Sequence, residues 1–114
     1  MAVALDASLL ESMPGWEIIS DGLRDTAAAK ITPQACLVWI AEARLRRDGL
    51  INEAILLNRI KSPEDVLYGL LCQAGGNAFG RYNSLLRRLV KFEHALDWAH
   101  TKALGQTAVR TGAN

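Results

Sequence analysis

The 114-residue sequence has few cysteines and no long apolar run. Cys36 and Cys72 are too few and too isolated for a zinc ribbon or a disulfide framework. Each lies in an apolar stretch, so we expect two reduced, buried thiols, with a disulfide between two helices as the alternative. The longest unbroken apolar run, Ala35 to Ala41, is far shorter than the roughly 20 residues that a transmembrane helix needs. The sequence therefore predicts no membrane association.

A secretory signal is also missing. Residues 1–13 contain Asp6 and Glu11 and lack the basic start of a signal peptide. With two thiols that we expect to be reduced, this pattern predicts a cytoplasmic protein.

The chain has almost no net charge, but its charges are unevenly distributed. The formal net charge is +1, which excludes a global field that would draw the molecule onto nucleic acid or an acidic membrane. Residues 1–30 contain five acids and two bases, whereas residues 81–114 contain six bases and two acids. We therefore expect an acidic N-terminal part and a basic C-terminal part.

Two dipeptides predict where helices begin. Thr32-Pro33 and Ser62-Pro63 each place a hydroxyl at the capping position and proline at the first helical position, where its missing N–H costs nothing. The first helix is predicted to run from Pro33 to about Asp48 and to end at Gly49 in a left-handed conformation. The second is predicted to run from Pro63 to about Gln73.

Apolar residues at steps of three and four predict further helices over Gly15 to Lys30 and over Arg81 to about Leu104. Residues 1–13 are predicted to add a short turn, and Leu50 to Ile60 an ill-defined short helix. The fold class is therefore all-α, a small helical bundle of four to five helices with a long C-terminal helix. We expect residues 1–104 to form a single helical domain and residues 105–114, which lack periodicity, to form a disordered tail.

The long C-terminal helix has an apolar face that we expect to enter the core. Its members are Tyr82, Leu85, Leu89, Phe92, Leu96, Ala99 and Ala103. Glu93 and His100 interrupt this face and are candidates for buried polar groups. We expect Glu93 to pair with Arg44 or Arg24, because an unpaired buried carboxylate is costly. His100 is expected to bond to Asp97 or to lie near the helix end.

Asp97 and His100 have the acid-x-x-His spacing of carboxylate-bridged metal bundles. Such bundles need matching carboxylates from other helices, yet the helix that begins at Pro33 offers only Glu42, and no second acid-x-x-His is present. We predict no metal and no cofactor.

The opposite face of the long helix is predicted to bind a partner, through Arg87, Lys91, His94, Trp98 and Lys102. Tryptophan and arginine concentrate binding energy at protein interfaces. The sequence therefore favours a non-enzymatic interaction protein that contacts a protein partner or a second copy of itself, self-association being the favoured form. The alternative is that Trp98 is covered by another part of the same chain.

Nucleic-acid binding is a second hypothesis from the same residues. Cations on one helix face can neutralise phosphates, and an exposed aromatic ring can stack on a base. The helix from Pro63 to Gln73, a glycine turn and the long helix form a loosely helix-turn-helix-like order. The near-neutral net charge and the length of the second helix argue against this reading.

A third hypothesis is an enzyme. Arg88 and His94, with five residues between them on a predicted helix, make a segment that resembles the catalytic motif of HEPN-type ribonucleases. The resemblance implies RNA cleavage by acid–base chemistry, with the two residues paired across a dimer. It covers only Arg87 to His94, and Leu89 replaces the polar residue that commonly follows the arginine of that family. No other motif indicates catalysis, so we assign no catalytic residue.

Overall fold

The structure is a computed structural model that describes residues 5–112, with side chains described for residues 5–105. This part of the chain is helical without strands, which confirms the predicted all-α class. The helices are α1 (Ala7–Glu11), α2 (Trp16–Ala27), α3 (Pro33–Ile40), α4 (Glu42–Arg47), α5 (Glu53–Leu56), α6 (Pro63–Ala74) and α7 (Ala78–Gly112). In residues 5–112, no helix combines the length and apolar character needed to cross a membrane.

Helix α3 is the centre of the core and packs against α2 and α6. The side-chain oxygen of Thr32 accepts a hydrogen bond from the amide N–H of Ala35 at 3.1 Å, which caps the helix as predicted. The residues from Ala35 to Trp39 are all buried, because every face of this short helix meets another helix.

The segment predicted as one helix from Pro33 to Asp48 is two helices. The break lies at Ala41, whose φ of −93° and ψ of 15° are not helical. It separates α3, which is apolar all round, from α4, of which only Leu45 is buried. Gly49 follows α4 with a φ of +76°, the left-handed conformation that we predicted for the helix stop.

Helix α7 is longer than predicted, and it packs against α4 and α6. Leu89, Phe92 and Leu96 of its apolar face are buried, and the Phe92 ring stacks against Trp16 of α2. The molecule measures 59 × 28 × 22 Å, and α7 accounts for its length, since 35 residues extend about 52 Å. The backbone is helical through Gly112 where we predicted a disordered tail from residue 105, and residues 113 and 114 lie outside the described residues.

Several local predictions were wrong. The helix count in the described chain is seven instead of four to five, because Ala41 divides one predicted helix and α1 forms where a turn was predicted, whereas α5 lies within the short helix predicted over Leu50 to Ile60. Ser62 precedes α6 but makes no capping bond, since it adopts a left-handed conformation with a φ of +49°.

Both cysteines are free, but only Cys36 is buried; Cys72 lies on the exposed side of α6. Burial raises the pKa of the Cys36 thiol to about 11, so this sulfur is a weak nucleophile at neutral pH.

Candidate contact surface on the last helix

The polar residues on the side of α7 that faces α4 form a network of ion pairs. Arg44 of α4 donates from Nη1 to Glu93 at 3.0 Å, and its Nε donates to both oxygens of Asp97 at 3.0 and 3.1 Å. Arg47, one turn further along α4, reaches Asp97 at 2.9 Å. Glu93 thus has one of the two arginines that we predicted for it, and α4 is fixed to α7 through charged side chains.

Asp48 extends this network into the interior and was missed by the sequence analysis. Its carboxylate is fully buried, and it pairs with Arg47 at 2.8 Å and with Nδ1 of His100 at 2.6 Å. The prediction that His100 bonds to Asp97 was wrong, because the two arginines of α4 occupy that carboxylate. The only sequence signal for Asp48 was its place directly before Gly49, the predicted helix stop.

The charges of this network stabilise one another. Burial raises the pKa of Asp97, but hydrogen bonds from Arg44 and Arg47 outweigh it, so this pKa lies below its ordinary value. Hydrogen bonding to Asp97 and the charge of Glu93 raise the pKa of Arg44. No group of three or more His, Cys, Asp or Glu residues in the described chain could hold a metal ion. We interpret the network as a structural connection between α4 and α7.

A different surface lies on α7 away from these ion pairs. We call it the α7 contact face, and it consists of Leu86, Arg87, Val90, Lys91, His94, Trp98 and Lys102. All of these side chains are exposed except Leu86, which is half-buried. Trp98 is 64% exposed, so no described part of the chain covers it. The Nζ of Lys102 lies 4.8 Å from the centroid of the Trp98 ring, which holds one cation against the aromatic face.

The cations of the α7 contact face differ from most other cations of the molecule. Six arginines form ion pairs with carboxylates, namely Arg24, Arg44, Arg46, Arg47, Arg59 and Arg88. In contrast, Arg87, Lys91 and Lys102 contact no carboxylate within the described residues. Folding therefore leaves the charge of this face uncompensated.

Two depressions adjoin this face. The first, of about 490 Å³, lies along α7 and is lined by Leu86, Val90 and the polar side chains around them. The second, of about 290 Å³, lies between Trp98 and Lys102 on α7 and the N-terminal residues Leu5, Asp6 and Leu9. Leu86 and Val90 were not among the predicted contact residues, although their four-residue spacing between basic residues was visible in the sequence.

The structure does not bring the proposed catalytic pair together within one chain. Arg88 forms an ion pair with Glu17 of α2, whereas His94 is exposed on the α7 contact face. Six residues along a helix correspond to a rotation of about 120° between the two side chains. The order of α6, a glycine turn and α7 is the one that loosely resembles a helix-turn-helix. In this turn Gly75 and Gly76 both have positive φ, and α7 has 35 residues.

Comparison with protein-family models, with curated proteins and with solved structures found no match.

Proposed function

We propose that this chain is a non-enzymatic interaction protein that binds a different protein through the α7 contact face. The observation that carries the proposal is that Arg87, Lys91 and Lys102, which share one side of α7 with the exposed Trp98, form no ion pair within the described residues. A solvated surface needs cations for solubility, but it gains nothing from an exposed tryptophan. Large aromatic and arginine side chains together are typical of the residues that dominate binding energy.

The arrangement of charge favours a different protein over a second copy. The α7 contact face carries His94 and three bases that form no ion pair within the described residues, and none of its members is an acid. If two copies met face to face, these cations would lie opposite one another at close range, which is unfavourable. Self-association, which the sequence alone favoured, therefore becomes the second choice.

Nucleic acid is kept as the alternative partner, since unpaired cations beside an aromatic ring can also bind phosphates and a base. The small number of cations along the length of the face argues against nucleic acid.

We place the interaction in the cytoplasm, and the two free thiols support that setting because a reducing compartment maintains them.

Site-specific photocrosslinking in cells that contain the protein tests this function. A photoreactive residue replaces His94 in one variant and the exposed Lys61, which lies outside the face, in a control variant. We expect an adduct at position 94 only, which resists nuclease and has a mass other than twice that of the chain. The adduct should be lost when Trp98→Ala and Lys91→Glu are added, and circular dichroism should show that this double variant is folded.

Each other result contradicts the proposal in a recognisable way. A nuclease-sensitive adduct would identify nucleic acid as the partner, and an adduct of twice the chain mass would identify a second copy. Equal adducts at positions 94 and 61 would mean that the face has no special role. Unfolding of the double variant would mean that these side chains serve stability.

A further inference from the structure

We infer that the partner presents an acidic amphipathic α-helix, which lies lengthwise along the α7 contact face. This inference rests on the proposed function and specifies the chemistry of its partner. It follows from the length of the face, from its charge and from the position of its apolar side chains.

The face is long and narrow. From Leu86 to Lys102 it spans 17 residues of α7, and the 16 steps between these ends correspond to roughly 24 Å along the helix axis. One depression lies toward the Leu86 end and the other lies beside Trp98. A helix of about 16 residues matches this length, and helices commonly pack by placing the ridges of one into the grooves of the other.

The charge of the face determines the charge of its ligand. Arg87, Lys91 and Lys102 are exposed and form no ion pair within the described residues, so each can pair with a carboxylate of a partner without giving up an existing ion pair. The nearest acids of α7, Glu93 and Asp97, are already neutralised by arginines of α4. A ligand with three or more carboxylates along one side would complement this field.

The apolar side chains distinguish a helix from a nucleic acid. Val90 is 45% exposed, and Leu86 lies beside it in the same depression. Trp98 and Leu9 border the second depression, at the other end of the face. Phosphates would leave these apolar groups in contact with water, whereas the apolar row of an amphipathic helix would cover them.

A synthetic peptide tests the inference with purified protein. The peptide is a fluorescently labelled 18-mer, with leucines at steps of three and four and glutamates on both sides of the leucine row. Its control has the same composition in an order that gives no apolar face. We expect the ordered peptide to bind, as measured by fluorescence anisotropy, and the control peptide to bind at least about tenfold more weakly.

Variants of the protein locate the binding site. We expect Trp98→Ala to weaken binding about tenfold or more, because tryptophan is enriched among the few residues that dominate binding energy at interfaces. Lys91→Glu should weaken binding several-fold, and less so in 0.5 M salt, because salt screens exposed charges. Lys61→Glu makes the same charge change outside the face and should alter binding less than twofold.

Several results would overturn the inference. They are equal binding of both peptides, an equal effect of Lys61→Glu and Lys91→Glu, and no binding of the ordered peptide. An 18-nucleotide RNA that binds in place of the peptide and is lost in Lys91→Glu would assign the face to nucleic acid. If the peptide fails while the crosslinking yields a face-dependent protein adduct, the inference falls and the proposed function holds; if both fail, both fall.

Discussion

The absence of a Cβ atom at Gly22 allows α2 and α3 to approach each other closely. A Cβ atom at this position would lie 2.3 Å from the carbonyl oxygen of Gln34 and 2.7 Å from Cγ2 of Val38. Glycine lowers intrinsic helix stability, so its place inside α2 is unfavourable by propensity alone. Its place in the structure shows that helix packing outweighs this propensity.

We therefore expect Gly22→Ala to destabilise the protein by about 2 kcal/mol, because a backbone oxygen of α3 cannot move aside without shifting the helix. Gly69→Ala is a matched control, since a Cβ at that helical position of α6 would contact nothing within 4 Å. It should be neutral or stabilise by roughly 0.5 to 1 kcal/mol. Urea unfolding of both variants measures the difference, and equal free energies of unfolding would contradict this account.

At the level of helices, the ion pairs between α4 and α7 should make the stability of the fold depend on pH in the acidic range. Burial raises the pKa of Asp97, but its hydrogen bonds to Arg44 and Arg47 hold it below the ordinary value of 3.8. Because the pKa is lower in the folded chain, the ionised form stabilises the fold above pH 4. This contribution is lost as the pH falls below about 4 toward the pKa of the folded chain.

The variant Asp97→Asn isolates this effect. We expect it to be less stable than the original protein at pH 7, and to lose less of its stability between pH 5 and pH 2. Thermal unfolding followed by circular dichroism at several pH values measures both quantities. A variant with the same loss over this range as the original protein would show that Asp97 does not contribute to the acid dependence.

The helices differ in how far the sequence could predict them. Thr32-Pro33 and Ser62-Pro63 have the same local pattern, and both were followed by helices, but only Thr32 caps its helix. The break at Ala41 was not predictable, because alanine favours helix and no local sequence signal marks a helix end there. Three-and-four periodicity, which assigns faces within one helix, also predicted the exposure of Arg87, Lys91, His94, Trp98 and Lys102, but the exposed Val90 of the same face was missed. It missed the pairing of Asp48 with His100, because that contact joins two helices whose relative position no local pattern specifies.

Considered as a whole, the molecule should be a monomer in solution when its partner is absent. Two α7 contact faces would repel each other, and the chain has a mass of 12.4 kDa. We expect light scattering to give this mass at 0.15 M salt. A mass near twice this value that returns to 12.4 kDa in Lys91→Glu would show instead that the face joins two copies.

Helix α7 contributes Phe92 and Leu96 to the core and Trp98 to the surface. Thermodynamic linkage follows from this double role, because a ligand on the exposed side binds only to a chain whose α7 is in place. A ligand at a hundred times its Kd would add about 2.7 kcal/mol to the free energy of unfolding. For a chain of this size, the melting temperature would rise by roughly 10 °C. Candidate partners could therefore be recognised by the heat resistance that they confer, before any contact between the two molecules has been mapped.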